Sequence, residues 1–420
     1  MKIGFFTDGY LPQPNGVATS VAASVKELVR RGHDVYVVAP KQPGFKDEKN
    51  VFRLTSVKIY GKEDFRLALN LPEKPLREVL RKDFDIIHGH AGGPVTFLGW
   101  QIARLKNIPF VATYHTLWNR YTHYILKGKL ISPKAAEVAS KVFGNLCDYL
   151  IAPTPRVKKE LVSYGVKKPI VVIGSGLDLT NFINIKKGYI RNRFHIKEEE
   201  KILIFVGRLG KEKSVEFLLS AFEFIYEKDK NSRLILVGDG PDRSKLEQSA
   251  KRMKSKKNVH FAGHVLNKDI PKAYADADIF VFSSQTETQG LVVIEAFASG
   301  LPVVAVKDPV FDKVVEDGGN GYLVKKDPKI FSKKVLGLLK NNDERQKFSQ
   351  NALQTADKFS VKVSTEKLEK FYKRVLKEHK KKKRLTEKIK DLQKLLDISI
   401  QINRLKTILI PPYFEGKNDS

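Results

Sequence analysis

Gln285-Thr-Glu-Thr-Gln-Gly-Leu-Val-Val-Ile-Glu-Ala-Phe-Ala-Ser-Gly-Leu-Pro302 decides the reading of this chain. The apolar run before it, Ala277-Asp-Ile-Phe-Val-Phe282, has the composition of a strand buried on both faces of a parallel sheet, and a second such run, Pro302-Val-Val-Ala-Val306, follows. The stretch between them therefore reads as a loop that passes through Gly290 into a helix, one strand–helix–strand unit of an open α/β sheet. Ligands bind such sheets outside the carboxyl ends of the strands, which is where this loop carries Glu287. The helix that Gly290 opens has first N–H groups without intrahelical partners, Leu291 among them, and its dipole favours an anion such as a diphosphate. Thr286 and Gln289 flank the carboxylate. Glu295 stands eight residues beyond Glu287, roughly two helical turns on, where a carboxylate can accept both hydroxyls of a ribose diol.

The same alternation runs outward in both directions. Strands are expected at Lys2 to Phe6, His33 to Ala39, Asp85 to His88 and Phe110 to Thr113, with a helix near Val17 to Gly32. A second set begins at Ile202-Leu-Ile-Phe-Val-Gly207 and continues through Arg233 to Gly238 and Val259 to Gly263. The expected architecture is two facing Rossmann-like halves, each a doubly wound parallel sheet, with a ligand cleft between them. The expected parts are residues 1–182, 183–358, a helix over 359–378, and a basic helical tail over 379–420. The junction is placed between Asn181 and Arg193.

A chain of 420 residues suits two domains, and 42% hydrophobic residues with 28 glycines suit a globular one. No apolar run approaches ~20 residues, and Ile3 to Thr7 is too short for a secretory apolar region, so a cytoplasmic protein is expected. Cys147 is the single cysteine, which excludes an internal disulfide and a cysteine-based metal site and is read as structural. The net charge of +29 points to a polyanionic surface. No zinc-finger spacing or RNA-binding aromatic signature accompanies it, so a nucleic-acid partner is not expected.

Three more loops end on the same strand edges. Asp8-Gly-Tyr-Leu-Pro-Gln-Pro-Asn-Gly16 follows the first strand and opens a helix, and Gly16 allows close approach of a phosphate. Gly207-Arg-Leu-Gly-Lys-Glu-Lys213 follows the first strand of the second half; Arg208 and Lys213 there can neutralise the charge that grows on a leaving diphosphate. His115, in Thr113-Tyr-His-Thr-Leu-Trp-Asn-Arg-Tyr-Thr-His-Tyr124, emerges at a strand end of the first half. His88 and His90 end another; with no placed carboxylate partner they read as lining for an acceptor pocket rather than a metal site.

With Glu287, Glu295, Ala296, Ser299, Gly300 and Pro302 in place, the chain resembles the retaining glycosyltransferases of the GT-B fold, family four, whose E-x7-E motif it carries. The resemblance implies a nucleotide-sugar-dependent hexosyltransferase that forms an α-linkage and needs no cofactor and no catalytic metal. It further implies that Glu287 meets the donor sugar's hydroxyls, that His115 contacts the transferred sugar, and that Gly16 borders the diphosphate while Asp8 approaches the acceptor hydroxyl. Donor contacts are implied at Gly207, Gly238 and the backbone beside Val265, the last at the nucleobase. The resemblance also implies that the helix over 359–378 returns to the first half; the family commonly has Trp after the Phe-Ser of that returning segment, where this chain has Val361.

Tyr-His-Thr at 114–116, followed by Tyr121, His123 and Tyr124, resembles the subgroup that glycosylates diacylglycerol in bacterial membranes. The expected partners are then a nucleotide sugar, diacylglycerol or a related lipid at Tyr121 and His123, and an anionic membrane surface on its cytoplasmic side. Glucose is the expected hexose. Two basic segments could meet that surface: Leu126 to Leu130 with Lys134, Lys141 and Val142-Phe143, or Lys380 to Arg384 ahead of the periodic stretch Leu385 to Ile410. The tail fits equally a helix that packs on protein. The competing readings are a phosphatidylinositol mannosyltransferase, a transferase for a soluble sugar or polysaccharide, a nucleotide-sugar 2-epimerase, and a non-catalytic polyanion-binding protein.

Overall fold

The computed structural model describes residues 1–13, 15–44, 49–58, 66–90, 92–120 and 132–384. The chain divides into two compact units, Met1–Leu368 and Glu369–Ser420. The second is described through residue 384 and is helical over that stretch. The tail beyond it, including the periodic stretch from Leu385, lies outside the described residues.

The first unit holds both expected parallel sheets. In chain order its first half runs β1 (Lys2–Thr7), α1 (Gly16–Arg30), β2 (Asp34–Pro40), β3 (Val51–Leu54), β4 (Ser56–Lys58), β5 (Arg66–Ala68), α2 (Lys74–Arg81), β6 (Ile86–His90), α3 (Pro94–Leu105), β7 (Phe110–Thr113), α4 (Pro133–Leu146), β8 (Tyr149–Ala152), α5 (Pro155–Ser163) and β9 (Ile170–Val172). After α6 (Tyr189–Phe194) the second half runs β10 (Lys201–Val206), α7 (Val215–Lys228), β11 (Ser232–Val237), α8 (Arg243–Lys251), β12 (Val259–Gly263), α9 (Ile270–Ala275), β13 (Ile279–Phe282), α10 (Leu291–Ala298), β14 (Val303–Val306), β15 (Gly321–Val324), α11 (Pro328–Lys340) and α12 (Asn342–Lys358).

The first sheet is ordered β3-β2-β1-β6-β7-β8-β9 and the second β12-β11-β10-β13-β14-β15; every pair within each is parallel. Helices cover both faces of such sheets, so the central strands are buried along their length, as β6, β7, β13 and β14 are; β13 and β14 are apolar throughout, while β6 and β7 end in the polar His90 and Thr113. Both orders reverse direction once. The chain moves outward from β1 through β2 to β3 and restarts on the other side at β6; it moves from β10 to β12 and restarts at β13. Where the order reverses, adjacent loops leave in opposite directions and open a crevice at the carboxyl edge. The loops bearing Asp8, Arg208 to Lys213 and Glu287 are those that follow β1, β10 and β13, and His90 closes β6.

Strands β3, β8, β9 and β15 carry only three or four residues each, too few for alternation to mark them in sequence. β4 and β5 form a separate antiparallel pair. The returning segment engages the connection between the sheets. Val361 N–H donates to the Leu177 carbonyl at 2.8 Å and Leu177 N–H to the Phe359 carbonyl at 3.0 Å. Arg31, beside the end of α1, donates to the Lys362 carbonyl at 3.1 Å. These backbone contacts do not call for the tryptophan that Val361 replaces.

Candidate active site

Glycines shape the floor of the second half's edge. Gly238 has φ +131°, and a Cβ there would stand 1.9 Å from the Gly207 carbonyl oxygen. A Cβ on Gly240 would meet the Leu209 oxygen at 2.3 Å. The turns after β10 and β11 are thus pressed together, with Gly207 N–H bonded to the Val237 carbonyl at 2.9 Å and Gly238 N–H to that of Gly263 at 2.8 Å. Gly207, Gly238 and Gly263 fix the backbone beneath Arg208, which is exposed, and ahead of Val265, which is buried.

Lys213 ends a short 3-10 turn, Lys211–Lys213, and its Nζ pairs with Glu287 Oε1. The two side chains are 14% and 13% exposed, so water screens the pair only in part. Two serines that sequence reading passed over hold the turn in place. Ser283 Oγ donates to the carbonyl of Lys213 at 2.6 Å, and Ser284 Oγ to that of Glu212 at 3.3 Å. A pair of hydroxyls ending an otherwise apolar strand was the available signal.

Gly290 has φ +71°, and a Cβ there would come within 2.4 Å of Phe311 Cε1, so the N-cap of α10 is closed to side chains. Glu295 lies farther along α10, its Oε2 accepting from the Tyr274 hydroxyl at 3.2 Å. Burial of its carboxyl outweighs that hydrogen bond and pushes it up to about 7. Across from α10, Gly16 opens α1, with Asn15 accepting from Ala18 N–H at 2.9 Å as its cap. A Cβ on Gly16 would lie 3.9 Å from Leu291 Cδ1. The starts of α1 and α10 therefore lie close together, and the pairing of Lys213 with Glu287 brings the basic β10 loop to the loop that opens α10.

The acceptor side differs in part from expectation. Asp8 is buried, and its carboxylate accepts from Gly93 N–H at 2.8 Å, Val95 N–H at 2.9 Å, Thr96 N–H at 3.3 Å and Thr96 Oγ1 at 2.8 Å. It caps α3 with both oxygens engaged, whereas the resemblance implies that it approaches an acceptor hydroxyl. Burial raises its pKa despite those bonds. His115 Nε2 and His90 Nδ1 are 3.0 Å apart, the His88 and His90 rings are 4.0 Å apart, and His88 Nε2 meets Thr113 Oγ1 at 2.7 Å. Burial pushes His115 down to about 4 and His88 to about 3, and holds His90 well below its ordinary value. The cluster is therefore uncharged at neutral pH. Among the described residues no group of three or more His, Cys, Asp or Glu is arranged for a metal ion. Tyr121 and His123 lie outside the described residues.

The chain matches the family described as Glycosyltransferase Family 4 over residues 14–181 and Glycosyl transferases group 1 over residues 186–355. It is 33% identical over 370 residues to the α-monoglucosyldiacylglycerol synthase of Acholeplasma laidlawii, covering 82% of this chain and 92% of that one. The chain belongs to the group 1, family 4 glycosyltransferases. The synthase of the same name from Streptococcus pneumoniae is also 33% identical, over 77% of this chain and 75% of that one. The glycosyltransferase fold extends to the structure of Anabaena Alr3699/HepE in complex with UDP-glucose, at 19% identity and a TM-score of 0.68, covering 88% of this chain and 99% of that one. The protein is a nucleotide-sugar-dependent hexosyltransferase of the retaining type with the GT-B architecture.

Proposed function

We propose that this glycosyltransferase moves glucose from UDP-glucose to 1,2-diacylglycerol, forming an α-glucosyl lipid at a membrane surface. The observation that carries the choice is the similarity to two α-monoglucosyldiacylglycerol synthases along most of the chain. UDP-glucose as donor is supported by their name and by the ligand of the HepE structure.

In this reading Arg208, Lys213 and the starts of α1 and α10, at Gly16 and at Gly290 and Leu291, bind the diphosphate. Breaking the bond from the anomeric carbon to phosphate leaves a dianion beside an oxocarbenium-like centre, and fixed positive charge on the phosphate side lowers that barrier. No metal is required for that neutralisation, and none is proposed. Glu295 holds the ribose diol, and the backbone beside Val265 meets the base. Glu287 accepts from sugar hydroxyls and stabilises the positive centre without forming a covalent bond to it. His115, kept neutral by burial, serves as a hydrogen-bond partner of the sugar rather than as a cation. The leaving phosphate oxygen takes the acceptor proton, and retention follows because the acceptor enters on the face the phosphate leaves.

A lipid acceptor stays in the bilayer, so the enzyme must dock there. The excess of 76 basic over 47 acidic residues supports attraction to an anionic surface, at ~1 kcal/mol for each cation close to it. On α4, Lys134, Lys141, Val138 and Val142 are all exposed, a mixed basic and apolar face suited to an interface. Among the described residues no helix is long and apolar enough to cross a membrane, and peripheral docking is the form proposed. The test is UDP release from UDP-glucose with and without diacylglycerol in anionic liposomes. Release that requires the lipid and disappears in Glu287→Ala supports the reading. Release driven by a soluble sugar, with no response to lipid, refutes the acceptor; no release with any acceptor or donor points to the non-catalytic reading.

A further inference from the structure

The loop that carries Glu287 is held from outside its own sheet. Gln289 is 7% exposed, and its side-chain amide pairs with the backbone of Ser175. Ser175 N–H donates to Gln289 Oε1 at 2.8 Å, and Gln289 Nε2 donates to the Ser175 carbonyl at 2.7 Å. One residue earlier in the loop, the Thr288 carbonyl accepts from Thr154 Oγ1 at 2.9 Å. Ser175 belongs to Ile173-Gly-Ser-Gly-Leu177, the start of the connection from β9 to β10 and hence between the two sheets. The same segment is gripped by the returning chain, through Ser364 Oγ donating to the Gly174 carbonyl and the Leu177 contacts already described. The glycines on either side of Ser175 admit these neighbours: a Cβ on Gly174 would stand 3.1 Å from Gln289 Nε2, and one on Gly176 would stand 2.4 Å from Val361 Cα.

An amide offers an acceptor and a donor in one plane, so Gln289 completes a two-bond bridge of the kind backbone forms with backbone. We propose that Gln289 is a positioning residue that ties the backbone under Glu287 to the inter-sheet connection, so that the carboxylate's place at the donor sugar is set by the arrangement of the two halves. This rests on the reading of Glu287 given above. Arg208 and Lys213 leave from the β10 loop, outside this tie. Gly290 and Leu291, which follow Gln289 directly, also serve the diphosphate, so loss of the tie should lower turnover more than nucleotide affinity.

Two variants test it. Gln289→Leu keeps the bulk and removes both bonds. Gln289→Glu keeps an acceptor for Ser175 N–H but sets a carboxylate oxygen against the Ser175 carbonyl until it is protonated, when its O–H restores the donor. A displacement of about 1 Å in a reacting constellation costs on the order of 100-fold. Gln289→Leu should accordingly lose between about 10- and 100-fold in kcat, with a clearly smaller fold loss in UDP affinity. Gln289→Glu should recover toward wild type, measured at the same pH, as pH falls through the introduced carboxyl's titration. Hydrogen exchange needs no acceptor: in Gln289→Leu, segments 285–290 and 173–178 should lose protection together while β10 and β11 keep theirs. An unchanged kcat in Gln289→Leu overturns the proposal. So does a loss shared equally by UDP affinity and by the protection of β10 and β11, which marks a general packing role. If wild type transfers nothing to diacylglycerol, the acceptor reading fails, while UDP-glucose hydrolysis and the exchange pattern still decide the role of Gln289.

Discussion

Removal of the Lys213 ammonium, as in Lys213→Met, separates what this cation does for the fold from what it does for the reaction. At about 4 Å and an effective dielectric near 20, two unit charges attract by roughly 4 kcal/mol, and desolvating the pair offsets much of that. The intact Lys213–Glu287 pair therefore contributes little net stability. Breaking it leaves the Glu287 carboxylate, 13% exposed, without its cation. Stranding a fully buried charge costs about 3–5 kcal/mol; the water that still reaches Glu287 reduces this to roughly 1–3 kcal/mol. For domains of 150–250 residues each kcal/mol lowers Tm by about 2–4 °C. The double variant Lys213→Met with Glu287→Gln removes the stranded charge, so it should melt above Lys213→Met alone.

Transfer activity should follow the opposite logic. A preorganised group that stabilises developing charge is worth about 100- to 1,000-fold in kcat, roughly 2.7–4 kcal/mol. Lys213→Met should lose that much, and adding Glu287→Gln should rescue stability without rescuing turnover. The assay is a double-mutant cycle with thermal melts and UDP release measured on the same four proteins. Turnover within about threefold of wild type in Lys213→Met would refute the phosphate role. A double variant that melts no higher than the single would refute the stranded-charge argument.

Three further outcomes are expected. Glu295 is raised to about 7 in the folded chain against an ordinary 4.5, so between those values the folded state holds the extra proton and stability falls as pH rises. Glu295→Gln should flatten that slope in pH-dependent melts, and the difference between wild type and variant in UDP affinity should change near pH 7. Gly238→Ala must move the Gly207 carbonyl, 1.9 Å from the new Cβ, at φ +131°; backbone strain and overpacking together should cost roughly 2–5 kcal/mol in denaturant unfolding. His115, pushed down to about 4, should contribute no ionisation to kcat/KM between pH 5.5 and 8; an acid limb near 6.5 that vanishes in His115→Gln would contradict its neutral state.

Both sheets were legible because buried parallel strands leave long apolar runs, as β10 and β13 do, and because glycine at a strand end or a helix start marks a turn that side chains cannot enter. Gly238 and Gly290 are of that kind, and the contacts a Cβ would make at each show why. The loops that follow β1, β10 and β13 could be placed at one edge from strand order alone. What a side chain does within its loop depends on partners far away in sequence. Asp8 stands at a strand end in the sequence, but its partners are the N–H groups that open α3, 85 to 88 positions away. Nothing in the composition of the first loop announces those donors.

Gln289 shows the same limit from the other side. Between Thr288 and Gly290 it has the composition of an ordinary solvated loop, and its partner Ser175 is 114 positions away in a short glycine-flanked connection. Periodicity identifies faces and glycine identifies turns, but a bridge between a loop of one half and the segment joining both halves leaves no repeating signal. The residues proposed to carry the chemistry, Glu287, Arg208 and Lys213 on loops at strand edges and Glu295 on the helix that follows, lie where sequence can locate them. Those that hold the strand edges in register with each other, Gln289, Thr154, Ser175 and Ser364, are visible only once the chain is folded, because their role is defined by the contact between halves.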